Sequence, residues 1–196
     1  MLTTYEGLLK VKILPDLEAG RPNWDEPHTR AVVKHMKAII ENNPDLNLDQ
    51  EILTIAAYAH DWGYSGLFKG GKPLNMNDVS NAKEAHMKHS GQKLRELLKD
   101  PIFNFLSEER KQRAVHLTQR HDKLNELKDV DELVLMEADT LGGLDIEEVK
   151  PTFDKESNDR YMKGVREKRL PLFITEYGKM EFERLYKARQ KYYLEK

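Results

Sequence analysis

The sequence predicts an all-α protein, on three observations. Apolar residues recur at intervals of three and four along most of the chain, no stretch sustains the apolar–polar alternation of a half-buried strand, and the periodic runs are bounded by helix start and stop residues. The first segment, residues 2–19, is a short apolar helix that Pro15 is expected to interrupt. The next helix begins near Asp25 to Pro27, where acidic residues followed by proline mark a start. It carries Val32, Val33, Met36, Ile39 and Ile40 on one stripe and stops before Pro44. Asn47 to Gln50 resembles a capping box, and the helix after it, EILTIAAYAHD, is apolar nearly all round until Gly63, as a central buried helix would be. Residues 63–79, rich in Gly, Asn and Lys, read as a mobile surface loop directly after that helix. Further helices are expected from Ser80 to about Leu98, from Ser107 to about Arg120, and through DELVLMEADTL to Gly142–Gly143. Two or more helices fill the remainder around Pro171, and there is no internal repeat.

A chain of 196 residues suits one domain with an appended arm, and 39% apolar with 34% charged residues suits a soluble globular protein. The absence of cysteine excludes disulfides, thiolate zinc sites, iron–sulfur clusters and cysteine nucleophiles, so any metal must take nitrogen and oxygen ligands. The opening MLTTYEGLLKVK carries Glu6, and no later segment approaches the roughly 18 apolar residues of a membrane span. A cytoplasmic protein without membrane partners is the expectation. A net charge of −2 leaves no electrostatic footprint for duplex nucleic acid. Residues 160–196 nevertheless hold 11 basic against 5 acidic residues, a basic arm able to reach phosphates, although a solvated helix face is the commoner meaning of such a bias.

The chemistry concentrates at His60–Asp61, at the end of the most apolar helix. A carboxylate buried there costs several kcal/mol unless paired, and at a helix C-terminus it also opposes the dipole. A cation is required, and the adjacent histidine makes a divalent metal the economical choice. Asp139, after the apolar run LVLMEA, poses the same problem, and His28 sits one turn before Val32 at the edge of a core stripe. Neighbouring helical residues point about 100° apart, so His60 and Asp61 can share an ion only near a helix end, which is where they lie. A lone buried histidine is more often hydrogen-bonded core than ligand, and a second His–Asp pair, His121–Asp122, stands in a polar setting. The order is more specific: a histidine, then His–Asp 32 residues on, then a helix-borne aspartate 78 residues later.

In that order the sequence resembles the HD-domain superfamily of metal-dependent phosphohydrolases, whose H…HD…D pattern falls on His28, His60, Asp61 and Asp139. AAYAHDWGY is similar to the family's apolar helix ending in HD, AHMKHSGQKLRELL to its next helix, VHLTQRH to the stretch ending in a histidine, and EADTLGGL to its aspartate helix. The likeness covers roughly residues 25–145. It implies an HD-domain bundle of about five core helices, with an N-terminal helical segment over residues 1–24 and a C-terminal helical extension over 146–196. It also implies one or two divalent ions, with Mn, Fe, Zn, Ni and Mg not distinguished. In a two-ion arrangement His28, His60, Asp61 and Asp139 hold the first ion, Asp61 bridges, and His86 with His121 hold the second. His89 is the alternative to His86, which lies nearer the apolar stripe of Ala82, Leu94 and Leu97. His35 and His116 fit no such role.

The reaction so implied is attack of metal-activated water on phosphorus, with Asp61 and His60 at its centre and a small phosphorylated substrate such as a nucleotide. No Ser–His elbow offers a competing nucleophile, and the GGK of residues 70–72 lacks the rest of a P-loop. Phosphate-binding cations are sought in Lys69 and Lys72 of the loop, Arg120 beside His121, and Arg160, Lys163, Arg166 and Arg169 of the arm. Glu84 and Glu137 flank the ligands and could orient imidazoles, though exposed helix charge is the plainer reading. Two other readings stand beside this one: a di-iron HD-type oxygenase, and a metal- or nucleotide-binding regulatory module without turnover. A homodimer is open to the chain.

Overall fold

The computed structural model describes residues 4–21, 23–68 and 76–195, and these form nine α-helices, with no strand among them. Helix α1 (Tyr5–Glu18) is capped by Thr4, whose hydroxyl accepts the Gly7 N–H, and it runs through Pro15 instead of breaking there. Pro15 is exposed, while Leu9, Ile13, Leu14 and Leu17 are buried on the opposite side. Burying four such side chains is worth about 1.5–3 kcal/mol each, which outweighs the roughly 3 kcal/mol of an internal proline.

Helix α2 (Asp25–Asn42) begins at the predicted acidic residues and buries His28, Val32, Val33, Met36 and Ile39. The predicted box at Asn47 to Gln50 does not form. Asn47 takes the left-handed conformation (φ 47°), and Asp49 caps α3 (Gln50–Ala59) by accepting the Ile52 N–H. Residues 52–59 are all buried, and the helix ends four residues before Gly63, leaving His60 as its cap and Asp61 at the head of a tight turn. The end of the expected loop is helical: α4 (Met76–Asn81) precedes α5 (Lys83–Leu97). Lys69 and Lys72 lie outside the described residues.

Ser107 caps α6 (Glu108–Arg120) through the Arg110 N–H, and a capping box of Asp129 and Glu132 starts α7 (Val130–Leu144). Gly142 and Gly143 sit inside α7 instead of ending it. A Cβ on Gly142 would come within 2.6 Å of Val32 Cγ2, so the glycine lets α2 and α7 cross closely. Beyond them, α8 (Lys155–Gly164) passes through a wide π turn at residues 165–169 and a short turn at Pro171 into α9 (Glu176–Leu194).

Helices α2 and α7 make the most extensive pairing, α3 packs on α2, α6 and α7, and α5 packs on α6. Helix α1 covers α2 and α3, and α9 closes over α7. No helix among the described residues is long and apolar enough to cross a membrane. Polar groups tie the C-terminal helices down. Glu137, far from being exposed, is fully buried, and its carboxylate accepts the Thr175 hydroxyl and the Ile174 and Thr175 N–H groups at the start of α9. The buried Arg189 donates to Asn158 Oδ1 (2.8 Å) and to the Gly143 carbonyl (2.7 Å).

His35 and Asp145, both buried, join α2 to the end of α7 at 2.9 Å. Burial alone would raise the Asp145 carboxyl, but His35 and Lys34 together hold it below the ordinary carboxylate range. Its stabilisation is therefore complete above the unfolded pKa of about 3.9 and is lost as pH falls below it. Asp145→Asn is expected to cost about 2 kcal/mol at pH 7, with a smaller gap from wild type near pH 3. Denaturant midpoints at the two pH values check this.

Candidate metal centre

Six side chains, three on α2, α5 and α7 and three just past the ends of α3 and α6, converge where these helices meet, five of them buried and Asp139 nearly so. Their donor atoms form two groups, His28 with His60 and Asp139, and Asp61 with His86 and His121, each within 4.8 Å. His28 Nε2 lies 3.0 Å from Asp139 Oδ1 and 3.2 Å from His60 Nε2, which is 3.7 Å from Asp139 Oδ1. Asp61 serves both groups. Its Oδ2 stands 3.6 Å from His28 Nε2 and 3.5 Å from His60 Nε2, while its Oδ1 stands 3.4 Å from His86 Nε2 and 3.6 Å from His121 Nε2.

These separations suit a shared ion, since ligands about 2.1 Å from one centre at tetrahedral or octahedral angles are about 3.0–3.4 Å apart. The imidazoles are oriented for it. His60 and His121 each donate Nδ1–H to a main-chain carbonyl one turn back, Ala57 (2.8 Å) and Thr118 (2.9 Å), which leaves a lone pair on each Nε2. His28 and His86 are held by stacking instead, on Trp24 (5.5 Å) and Tyr64 (4.0 Å). Burial holds His60 down to about 4 and His86 down to about 3, so both are neutral bases at physiological pH. His121 is raised, since Asp61 and Asp139 outweigh its burial.

Burial raises Asp61 and Asp139, yet both carboxyls stand well below the ordinary range because His60 and Arg21 act on the first and Arg169 and His28 on the second. Arg21 bridges Asp61 and Asp25, Arg169 bridges Asp139 (2.8 Å) and Asp122, and Lys83 also pairs with Asp122 (3.0 Å). Burial pushes Asp25 up to about 6 despite Arg21. Four carboxylates thus face three cations, and the residual negative charge with four imidazole nitrogens directed inward fits divalent metal.

The centre opens into a cavity of about 680 Å³ whose walls include Trp24, Tyr64, Phe153 and Tyr161. Of the cations sought in the sequence, Arg169 and Arg160 line it. Arg166 does not: it pairs with Glu183 at 3.0 Å and lies over the Tyr186 ring, on the α9 side. Arg120 is also removed, bonded to Glu126 (3.0 Å) and facing Glu132, and Lys163 faces Glu167. His89 is half-buried and belongs to neither donor group, and Glu84 is exposed beside Lys123. Arg21, Asp25, Tyr64, Lys83 and Asp122 escaped the sequence reading. Asp122 had a signal, since it follows His121 at a helix end as Asp61 follows His60. No family model, curated protein or solved structure matches the chain.

Proposed function

We propose that the protein is a cytoplasmic, metal-dependent phosphohydrolase of the HD-domain type, acting on a small phosphate ester. The observation that supports this most is Asp61, whose two oxygens face two separate donor groups at the floor of a cation-lined cavity. His28, His60, Asp61 and Asp139 would hold one ion, and Asp61, His86 and His121 a second. Four imidazoles among six ligands favour Mn, Fe, Ni or Zn over Mg, which prefers oxygen. The ions would supply an activated water and neutralise phosphoryl oxygens.

The chain's own residues complete the site. Arg21 and Arg169 are anchored from outside by Asp25 and Asp122, so their guanidinium groups stay aimed at the centre and can donate to phosphoryl oxygens. Thr140, bonded to Arg169 at 2.9 Å, helps fix that group. Tyr64 lies between Arg21 and His86, contacting the guanidinium and the imidazole each at 4.0 Å, and so couples the cation to the ligand. Trp24, Phe153 and Tyr161 offer flat apolar faces to the organic part of the substrate.

The test is elemental analysis of protein purified without chelator, followed by a phosphatase and phosphodiesterase panel with the metal found. We expect about two divalent ions per chain and phosphate release that chelator abolishes and metal restores. Protein that takes up no divalent ion would overturn the reading. Iron-dependent oxygen uptake without phosphate release would replace it with an oxygenase.

A further inference from the structure

Five cationic side chains line the cavity, and Arg21, Lys83 and Arg169 are committed to carboxylates. Arg160 and Lys168 are not. Among the described residues neither has an ion pair or a hydrogen bond, and both are exposed at the rim. Asp154 acts on Arg160 only through space, because its carboxylate caps α8 on the Ser157 N–H. Arg160, Gly164 and Lys168 follow one another at intervals of four along a continuous helical stretch and line the same cavity. The adjoining row, Tyr161, Val165 and Arg169, lines it too and leads to Asp139.

Gly164 makes this row informative. A glycine inside a helix costs about 0.5–1 kcal/mol relative to alanine. Elsewhere in this protein such a glycine lets another element approach, as Gly142 admits α2. At Gly164 nothing lies within 4 Å of the place a Cβ would take, and its φ is not positive. Neither packing nor backbone conformation uses the missing side chain. The gap lies in the cavity wall, between the two uncommitted cations and five residues before Arg169.

We infer that the substrate carries a second phosphate, seated over Gly164 between Arg160 and Lys168, while its scissile phosphate lies at the metal centre beside Arg169. The inference rests on the phosphohydrolase reading and deepens it. The substrate class becomes a bisphosphorylated compound with a flat ring against Trp24, Phe153 and Tyr161, its two phosphates separated by about one turn of the π segment. Two cations match the charge of one phosphate dianion, and the gap at Gly164 gives its oxygens room that any side chain would take.

The probes are adenosine 5′-monophosphate and adenosine 3′,5′-bisphosphate, with dissociation constants measured by calorimetry on metal-stripped protein, where no turnover interferes. Wild type should bind the bisphosphate about tenfold more tightly, as a gain of charge-assisted contacts implies. The advantage should vanish in Arg160→Ala/Lys168→Ala and in Gly164→Gln, whose side chain fills the gap and favours the helix. Monophosphate affinity and the metal content of reloaded protein should stay as in wild type. Gly164→Ala should raise the melting temperature, which confirms that the gap serves no packing role. Equal affinities in wild type, or an advantage that survives both variants, would overturn the inference while phosphate release stands. Absence of bound metal and of phosphate release would overturn the functional reading and this one together.

Discussion

Replacing Asp61 with alanine is expected to reduce metal content from two ions per chain to less than one and to lower phosphate release by about 10³-fold or more. The size of the effect follows from geometry. Asp61 alone presents oxygens to both donor groups, Oδ2 to His28 and His60 and Oδ1 to His86 and His121. Asp139→Ala should cost the first ion only, and His121→Ala the second only. Folding should survive Asp61→Ala, because Arg21 keeps Asp25 as a buried partner. Arg166→Ala is the control: on the α9 side, paired with Glu183, it should leave metal content and turnover unchanged. Elemental analysis and phosphate release on the four variants decide the matter, and two ions retained in Asp61→Ala would exclude the bridging arrangement.

Asp61 and Asp139 were legible because each is a physical anomaly in one dimension, whereas His86 and His121 rested on the resemblance. An acid at the end of a helix as apolar as α3 demands a cation, and Asp139 repeats the demand, so the sequence order carries most of the centre. Arg21 was not legible, since a residue in a non-helical segment has no periodicity to say where it points. Arg166, read together with Arg169, misled for a related reason. Three residues apart in a regular helix they would be neighbours. The π turn at residues 165–169 winds fewer degrees per residue, so Arg169 faces Asp139 while Arg166 meets Glu183. Helix ends failed where a partner decides them. Pro15 is overridden by the burial of Ile13, Leu14 and Leu17, and Gly142 reads as a stop until Val32 of α2 is seen against it.

Gly63 is where the fold and the centre depend on one another most sharply, and Gly63→Ala is expected to damage both. A Cβ there would fall 1.9 Å from the His86 carbonyl oxygen and 2.6 Å from the Ser90 nitrogen, both main-chain atoms of α5. Neither can swing aside as a side chain could, so the turn must move away by roughly 1–1.5 Å to restore ordinary contact. That movement breaks the Gly63 N–H bond to Ser90 Oγ and the Ser90 hydroxyl bond to the His60 carbonyl (2.9 Å), which together clamp the turn to α5. A loss of about 3 kcal/mol follows, or roughly 6–12 °C in melting temperature for a chain of this size. Asp61 is two residues before Gly63, in the turn that moves, and His86 lies on α5, from which it moves, so the Asp61–His86–His121 group should open while His28, His60 and Asp139, held by α2, the end of α3 and α7, stay together. Gly63→Ala should therefore bind one ion where wild type is expected to bind two, measured by elemental analysis on protein shown by circular dichroism to be folded. Wild-type stability with both ions bound would mean that α5 does not press on the turn as closely as these distances require.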